Sequence, residues 1–273
     1  VTRSNKRANI FNQGIRNMVL DRDEELSQGD ILMIVKNNYY WMEEERKKVS
    51  EERRVKSEET AFGGRRESQF NGLANHNVPS SKFKVQSKEV QSNHKVPSSK
   101  FQVQSNEVQS KELPAFLANG DRAKVLRVRR RIDLYGFRFA TLLLQFPDYD
   151  NYELEATVLL DTLTSEAPAL THEQQEQLFR QIEEDYQDIP LKADWMKAIR
   201  QDQFFNALQV KFANAVTCHK AQGGQWAHVY VDQGYMTDDM LTPDYIHWLY
   251  TAFTRATEKL YLVNWPETQT ATS

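Results

Sequence analysis

Four short apolar runs stand out along this chain. Ile31-Leu32-Met33-Ile34-Val35 follows the turn signal Gly29-Asp30, and three more runs occupy residues 123–128, 139–146 and 153–160. Runs of this length bounded by turn residues, such as Asn119-Gly120-Asp121, predict strands. Together they predict a small antiparallel β unit. Elsewhere the spacing is helical. Ile10, Ile15, Val19 and Leu20 roughly follow a helical period, with Ser4 or Asn5 as N-cap. Thr171-His172-Glu173-Gln174 forms a capping box, and Leu178, Ile182 and Tyr186 stand at i, i+4 and i+8 behind it. Pro190 closes that helix, and a second helical segment is predicted over residues 193–207. Residues 208–216 read as a strand leading into the polar stretch 217–226. The apolar run Val229-Tyr230-Val231 follows. A last pairing of the same kind joins residues 248–257 to Leu260-Tyr261-Leu262-Val263.

Between the first two strands the pattern breaks down. Residues 42–60 are dense in Glu, Lys and Arg and predict a solvated helix or none. A segment beginning Val78-Pro79-Ser80-Ser81-Lys82-Phe83 then recurs, with a period of 18 residues, as Val96-Pro97-Ser98-Ser99-Lys100-Phe101. Two copies rich in Ser, Gln, Lys and Asn cannot bury a core, so they predict a disordered insertion left by a tandem duplication. The alternative is a partner-binding pair of strands. The insertion divides the β unit, whose parts become residues 29–41 and 113–162.

Composition narrows the class. Of the 273 residues, 40% are hydrophobic and 27% charged, enough for a core, and the net charge is −3. Any nucleic-acid contact must therefore come from local basic patches. The run Arg122, Lys124, Arg127, Arg129, Arg130, Arg131 and Arg138 is such a patch, with Tyr135 and Phe137 available to stack bases. No stretch approaches the roughly 18 apolar residues of a membrane span. The single cysteine, Cys218, rules out an internal disulfide framework, fits a reducing cytoplasm and reads as a small buried hydrophobe. The histidines show no metal spacing.

The chemistry lies in the last quarter. In Thr217-Cys218-His219-Lys220-Ala221-Gln222-Gly223-Gly224-Gln225-Trp226 the glycine pair permits a tight turn and close approach of a ligand. Thr217, His219 and Gln222 supply hydrogen-bonding groups, and Lys220 supplies a charge. This string resembles motif V of superfamily 1 helicases of the RecD-like branch, Thr-x-His-Lys-[Ser/Ala]-Gln-Gly-x-Glu, departing only at Gln225. Tyr250-Thr251-Ala252-Phe253-Thr254-Arg255-Ala256 resembles motif VI, Tyr-Thr-Ala-x-[Ser/Thr]-Arg-Ala, throughout. More loosely, residues 4–16 resemble motif IV, and Gly29-Asp30-Ile31 with Asn37-Asn38-Tyr39 resembles the start of the small β-barrel inserted in the second motor domain.

The resemblance implies an α/β fold: a second RecA-like motor domain, a parallel sheet with flanking helices, carrying the inserted antiparallel barrel and the repeat insertion. Its RecA-like parts would be residues 1–28 and 208–267, with a helical segment at 163–207, the insertion at 42–112 and a tail at 268–273. It implies an arginine finger at Arg255 and a second phosphate contact at Arg16. ATP contacts would fall at Gly224, Gln225, Tyr250 and Thr254, and coupling residues at Gln222 and Gly223. Nucleic-acid contacts would fall at Thr217, His219, Lys220, Arg127, Arg129 and Arg131. Single-stranded DNA is the implied track, with movement 5′-to-3′, and ATP with Mg²⁺ the implied fuel. No Gly-x-x-x-x-Gly-Lys-[Ser/Thr] loop occurs in the chain. The expectation is thus half of a motor, completed by an N-terminal RecA-like domain of the same protein, with Val1 at the edge of a fragment and no ATP turnover by this half alone. The alternative is a nucleic-acid-binding or interaction module that keeps the fold without turning over ATP.

Overall fold

The computed structural model describes residues 1–70, 114–266 and 269. The chain divides into two compact units, one formed by Val1–Glu45 with Pro114–Ser273 and the other by Arg46–Leu113. The 18-residue repeats lie outside the described residues. In the second unit only the course of α2 (Tyr40–Phe70) is described, so residues 42–60 are helical.

The first unit is built around a closed five-stranded barrel of β1 (Ile31–Ile34), β2 (Arg122–Leu134), β3 (Phe137–Phe146), β4 (Tyr152–Leu159) and β5 (Leu208–Phe212). Alternate side chains fill it: Leu32 and Ile34, Leu142 and Leu144, Ala156 and Val158, Val210 and Phe212. This is the period-two burial of a sheet that covers its own edges. All four strands expected from the apolar runs are present. The fifth differs from expectation. The strand over residues 208–216 stops at Phe212 and closes the barrel between β4 and β1, rather than joining the motif-bearing sheet. It pairs parallel with β4, so the barrel is not purely antiparallel. The physical reason is the long connection: α3 (His172–Asp185) and α4 (Lys192–Arg200) carry the chain back to the same end before β5 begins.

Both helices pack Leu178, Ile182 and Ile199 on Phe137, Phe139 and Leu159. The capping box at Thr171 is formed in full. The second helix ends at Arg200, short of the expected 207, because the Asp202 carboxylate takes the backbone N–H groups of Phe204 and Phe205 into a turn.

α1 (Asn5–Gly14) is capped by Ser4 and fastened to the barrel by a stripe of asparagines. Asn5 donates to Glu166 O, Asn9 to Thr164 O and Ser165 O, and buried Asn12 to Phe212 O and Ala215 O. A turn of π-helix, Ile15–Val19, follows and turns Arg16 inward. There Arg16, 2% exposed, pairs with buried Asp30, donates to Glu24 O and lies 4.3 Å over the Phe212 ring.

Lys211 points out of the barrel yet is only 8% exposed. Its Nζ donates to Thr162 O and Ser165 O and has no carboxylate partner among the described residues. Burial, with Lys220 adding repulsion, pushes the amine down to about 8 from 10.5. Below pH 8 the folded protein carries the full penalty of a buried charge. Between 8 and 10.5 the unfolded chain holds the proton that the folded one has lost, so stability rises with pH through this window. Lys211→Met is therefore expected to be more stable than the parent chain at pH 7, by on the order of 2 kcal/mol. The gap should narrow from pH 8 towards 9.5. Urea unfolding of both proteins at those pH values checks this, and a variant less stable at pH 7 contradicts it.

Beyond the barrel, β6 (Trp226–Asp232) and β7 (Ala256–Val263) pair in parallel across α5 (Pro243–Phe253). The ladder continues past β6. Asp232 N–H donates to Val1 O, Thr2 N–H to Val216 O and Cys218 N–H to Thr2 O, so Val1–Thr2 lies between β6 and the entry to the 217–226 loop. Val229, Val231, Cys218 and Ala252 form the small core beneath α5. The strands are parallel, as expected, and among the described residues their sheet has two strands.

Candidate nucleotide and nucleic-acid interface

The 217–226 loop is a run of overlapping turns. Ala221 N–H donates to Thr217 O and Cys218 O, and Gly224 N–H donates to Ala221 O. Gly223 has φ +84°, a conformation side chains rarely adopt, so it requires glycine. Gly224 is a glycine for another reason: a Cβ there would fall within 3.0 Å of three atoms of the Trp226 ring. Cys218 is buried beneath the loop, where burial pushes its thiol up against the opposing pull of Arg255. It packs as the small hydrophobe the sequence suggested.

Arg255 follows the C-cap of α5 and reaches across to this loop. Its Nε donates to Thr251 O at 3.0 Å, Nη1 to Gly224 O at 3.1 Å and Nη2 to Thr254 Oγ1 at 3.0 Å. All three acceptors are neutral. A guanidinium held by neutral oxygens keeps its full charge for an anion, and it can exchange those contacts for phosphate oxygens in a forked geometry. Thr254 is itself anchored to Tyr250 O, while the Tyr250 ring is 72% exposed. Gln222, Gly223 and Gln225 are exposed.

A cleft of about 530 Å³ separates this loop from the barrel. His219, Lys220, Gln222 and Gln225 line one side, and Asn119, Gly120 and Arg122 line the other. Lys220 Nζ donates across it to Asn119 Oδ1, and burial pushes the amine down. The loop and the barrel turn, far apart in sequence, thus face each other. Thr217 sits at the root of the loop, bridged to Thr2.

Other expected residues lie differently. Arg16 is 2% exposed and pairs with Asp30, so its guanidinium is a buried ion-pair partner. In the basic run, Arg129 pairs with Glu155, Arg131 with Glu24, Arg122 with Asp148, and Arg138 with Glu25 and Asp161. Arg127 and Arg130 make no ion pair among the described residues. The run therefore presents less free charge than its composition suggests. Register shifts in β2, between Val125 and Arg127 and between Val128 and Arg130, break the alternation that would have aimed the arginines at one face.

Two groups were missed in the sequence. Arg7 grips Asp232 with two hydrogen bonds, of 2.9 and 2.7 Å, at the end of β6, and Asn264 donates to the same carboxylate. Burial pushes the Asp232 carboxyl up, but these hydrogen bonds outweigh it and hold the group below the usual carboxylate range. An acid directly after the apolar run 229–231 was the available signal. The other is Trp226, whose backbone N–H donates to Arg255 O at 2.9 Å.

No helix among the described residues is long and apolar enough to cross a membrane. The curated proteins contain no match to the chain. Residues 212–263, which hold the loop, both parallel strands, α5 and Arg255, match the family model of the UvrD-like helicase C-terminal domain.

Proposed function

We propose that this chain is the second motor domain of an ATP-dependent DNA helicase of the RecD-like type. In this reading it couples ATP hydrolysis to 5′-to-3′ movement on single-stranded DNA. The observation that carries it is Arg255: a guanidinium with no carboxylate partner among the described residues, seated on the loop that also lines the cleft facing the barrel. Arg255 would stabilise charge on the transferred γ-phosphoryl group, with Gly224, Gln225, Tyr250 and Thr254 around the nucleotide. An N-terminal RecA-like domain of the same protein would supply the phosphate-cradling loop and most contacts to ATP and Mg²⁺. Thr217, His219 and Lys220 would follow the DNA backbone, with Arg127, exposed and without an ion pair among the described residues, as the barrel's contribution. Gln222 and Gly223 would join the two sites, since they belong to the cleft and to the same turn as Gly224. The Gln222-Gly223 pair supports the RecD-like branch.

The test is ATP hydrolysis by the full-length gene product with and without single-stranded DNA. Turnover that single-stranded DNA raises is expected. DNA binding with no hydrolysis would instead favour a binding module without turnover, a reading supported by Gln225 in place of the family's Glu. Neither binding nor hydrolysis would sink both.

A further inference from the structure

Arg255 can act only if something decides where its guanidinium waits, and three observations identify that element. The Nη1 of Arg255 rests on Gly224 O at 3.1 Å. The Trp226 ring lies so close over Gly224 that no side chain fits there. The Trp226 N–H holds the carbonyl of Arg255 at 2.9 Å. One residue thus grips both ends of the contact, the arginine's own backbone and the glycine whose carbonyl receives its side chain. Trp226 is itself anchored, packed against the core of Val229, Val231 and Ala252.

We propose that Trp226 is a positioning residue for Arg255, forming a clasp that holds the guanidinium at the loop until a phosphate takes it. The inference rests on the finger role proposed for Arg255. Trp226 touches no reacting atom in this scheme. Its indole fixes the Gly224 peptide plane, and its N–H fixes the start of β7. Either one displaced moves the guanidinium away from its mark, and small misplacements of a catalytic group are costly. Because Nη1 holds a neutral carbonyl, an incoming anion can displace that carbonyl without breaking an ion pair. The carbonyl then returns to water or to the loop's own N–H groups.

The experiment uses the full-length protein and DNA-stimulated ATP hydrolysis. Trp226→Ala is expected to lower kcat by about 10-fold or more while KM for ATP changes less than about 3-fold, the pattern of a lost transition-state contact. Trp226→Phe keeps an aromatic ring but lacks the outer indole edge that meets Gly224, so it is expected to recover only part of the loss. The backbone N–H to Arg255 O is kept in every one of these variants. Trp226→Ala combined with Arg255→Ala should be no slower than Arg255→Ala alone, because the clasp has nothing left to position. Losses that multiply in the double variant, or a Trp226→Ala effect confined to KM, would overturn the clasp while leaving the finger standing. Undiminished turnover in Arg255→Ala alone would remove the finger role, and the inference would fall with it. If Trp226→Ala fails to fold, Gly224→Ala tests the same clasp from the other side: the added methyl must push the ring away. It should give the same kcat loss and the same lack of additivity with Arg255→Ala, and a normal kcat in Gly224→Ala would overturn the inference.

Discussion

Alanine in place of Arg255 is expected to reduce DNA-stimulated ATP turnover of the full-length protein by on the order of 10³-fold or more, the range seen when a finger arginine is supplied or withheld. The expectation follows from what the side chain holds. Its three donors bind Thr251 O, Gly224 O and Thr254 Oγ1, so removing it leaves no buried carboxylate unpaired. Folding should suffer little, and the lost turnover should therefore report chemistry and not a damaged domain. Lysine should recover little, since a single ammonium cannot fork onto two oxygens. DNA affinity should stay within a few-fold, because Arg255 is not among the residues lining the cleft between the loop and the barrel. Steady-state kinetics with a DNA-binding titration on the same samples checks all three expectations. Turnover within 10-fold of the parent protein would rule out the finger assignment.

The largest effect on stability is expected at Asp30. Its carboxylate accepts from Arg16 at 3.1 Å, from Arg22 at 2.9 Å and from the Ser27 N–H at 2.8 Å, and it is fully buried. Asp30→Ala would leave the Arg16 guanidinium charged, buried and held only by Glu24 O and the Phe212 ring. Removing one partner of a buried pair costs about 3–5 kcal/mol. Arg16→Met should cost less, because it removes the charge together with its need for a partner and keeps much of the volume. Urea unfolding of the three proteins measures the difference, and a loss below about 1 kcal/mol for Asp30→Ala would contradict the geometry. The same pair of variants tests the inward placement of Arg16. If Arg16 instead met phosphate, Arg16→Met would slow turnover sharply at unchanged stability.

Much of the local structure was legible beforehand, for identifiable reasons. The capping box at Thr171 needs only residues three apart, and it formed in full. The strands at Ile31, Val125, Leu142 and Leu154 were marked by apolar runs between turn residues, and each entered the barrel core. What failed to show were distant partners. Nothing near Leu208 in the sequence says that it pairs with Val158, because that pairing depends on two intervening helices turning the chain around. Arg16 stands in a helical pattern that leaves it exposed. Only the π-turn and the presence of Asp30 bring it inside. The basic run looked like a track because charge is local in sequence, whereas Glu155, Glu24 and Asp161 reach it only through folding.

The same division holds at the candidate site. The amino-acid sequence by itself marked the turn, since Gly223 and Gly224 can take backbone conformations and close approaches that a side chain would block, and it placed a threonine and an arginine at the end of the α5 pattern. The tertiary structure alone decided that Arg255 rests on Gly224, that Trp226 holds both, and that Lys220 faces the barrel turn at Asn119. Turns and caps are settled by energies between neighbours in the chain. Which charge meets which oxygen across a cleft is settled by the packing of whole elements, and that packing places groups that no short window of sequence contains together.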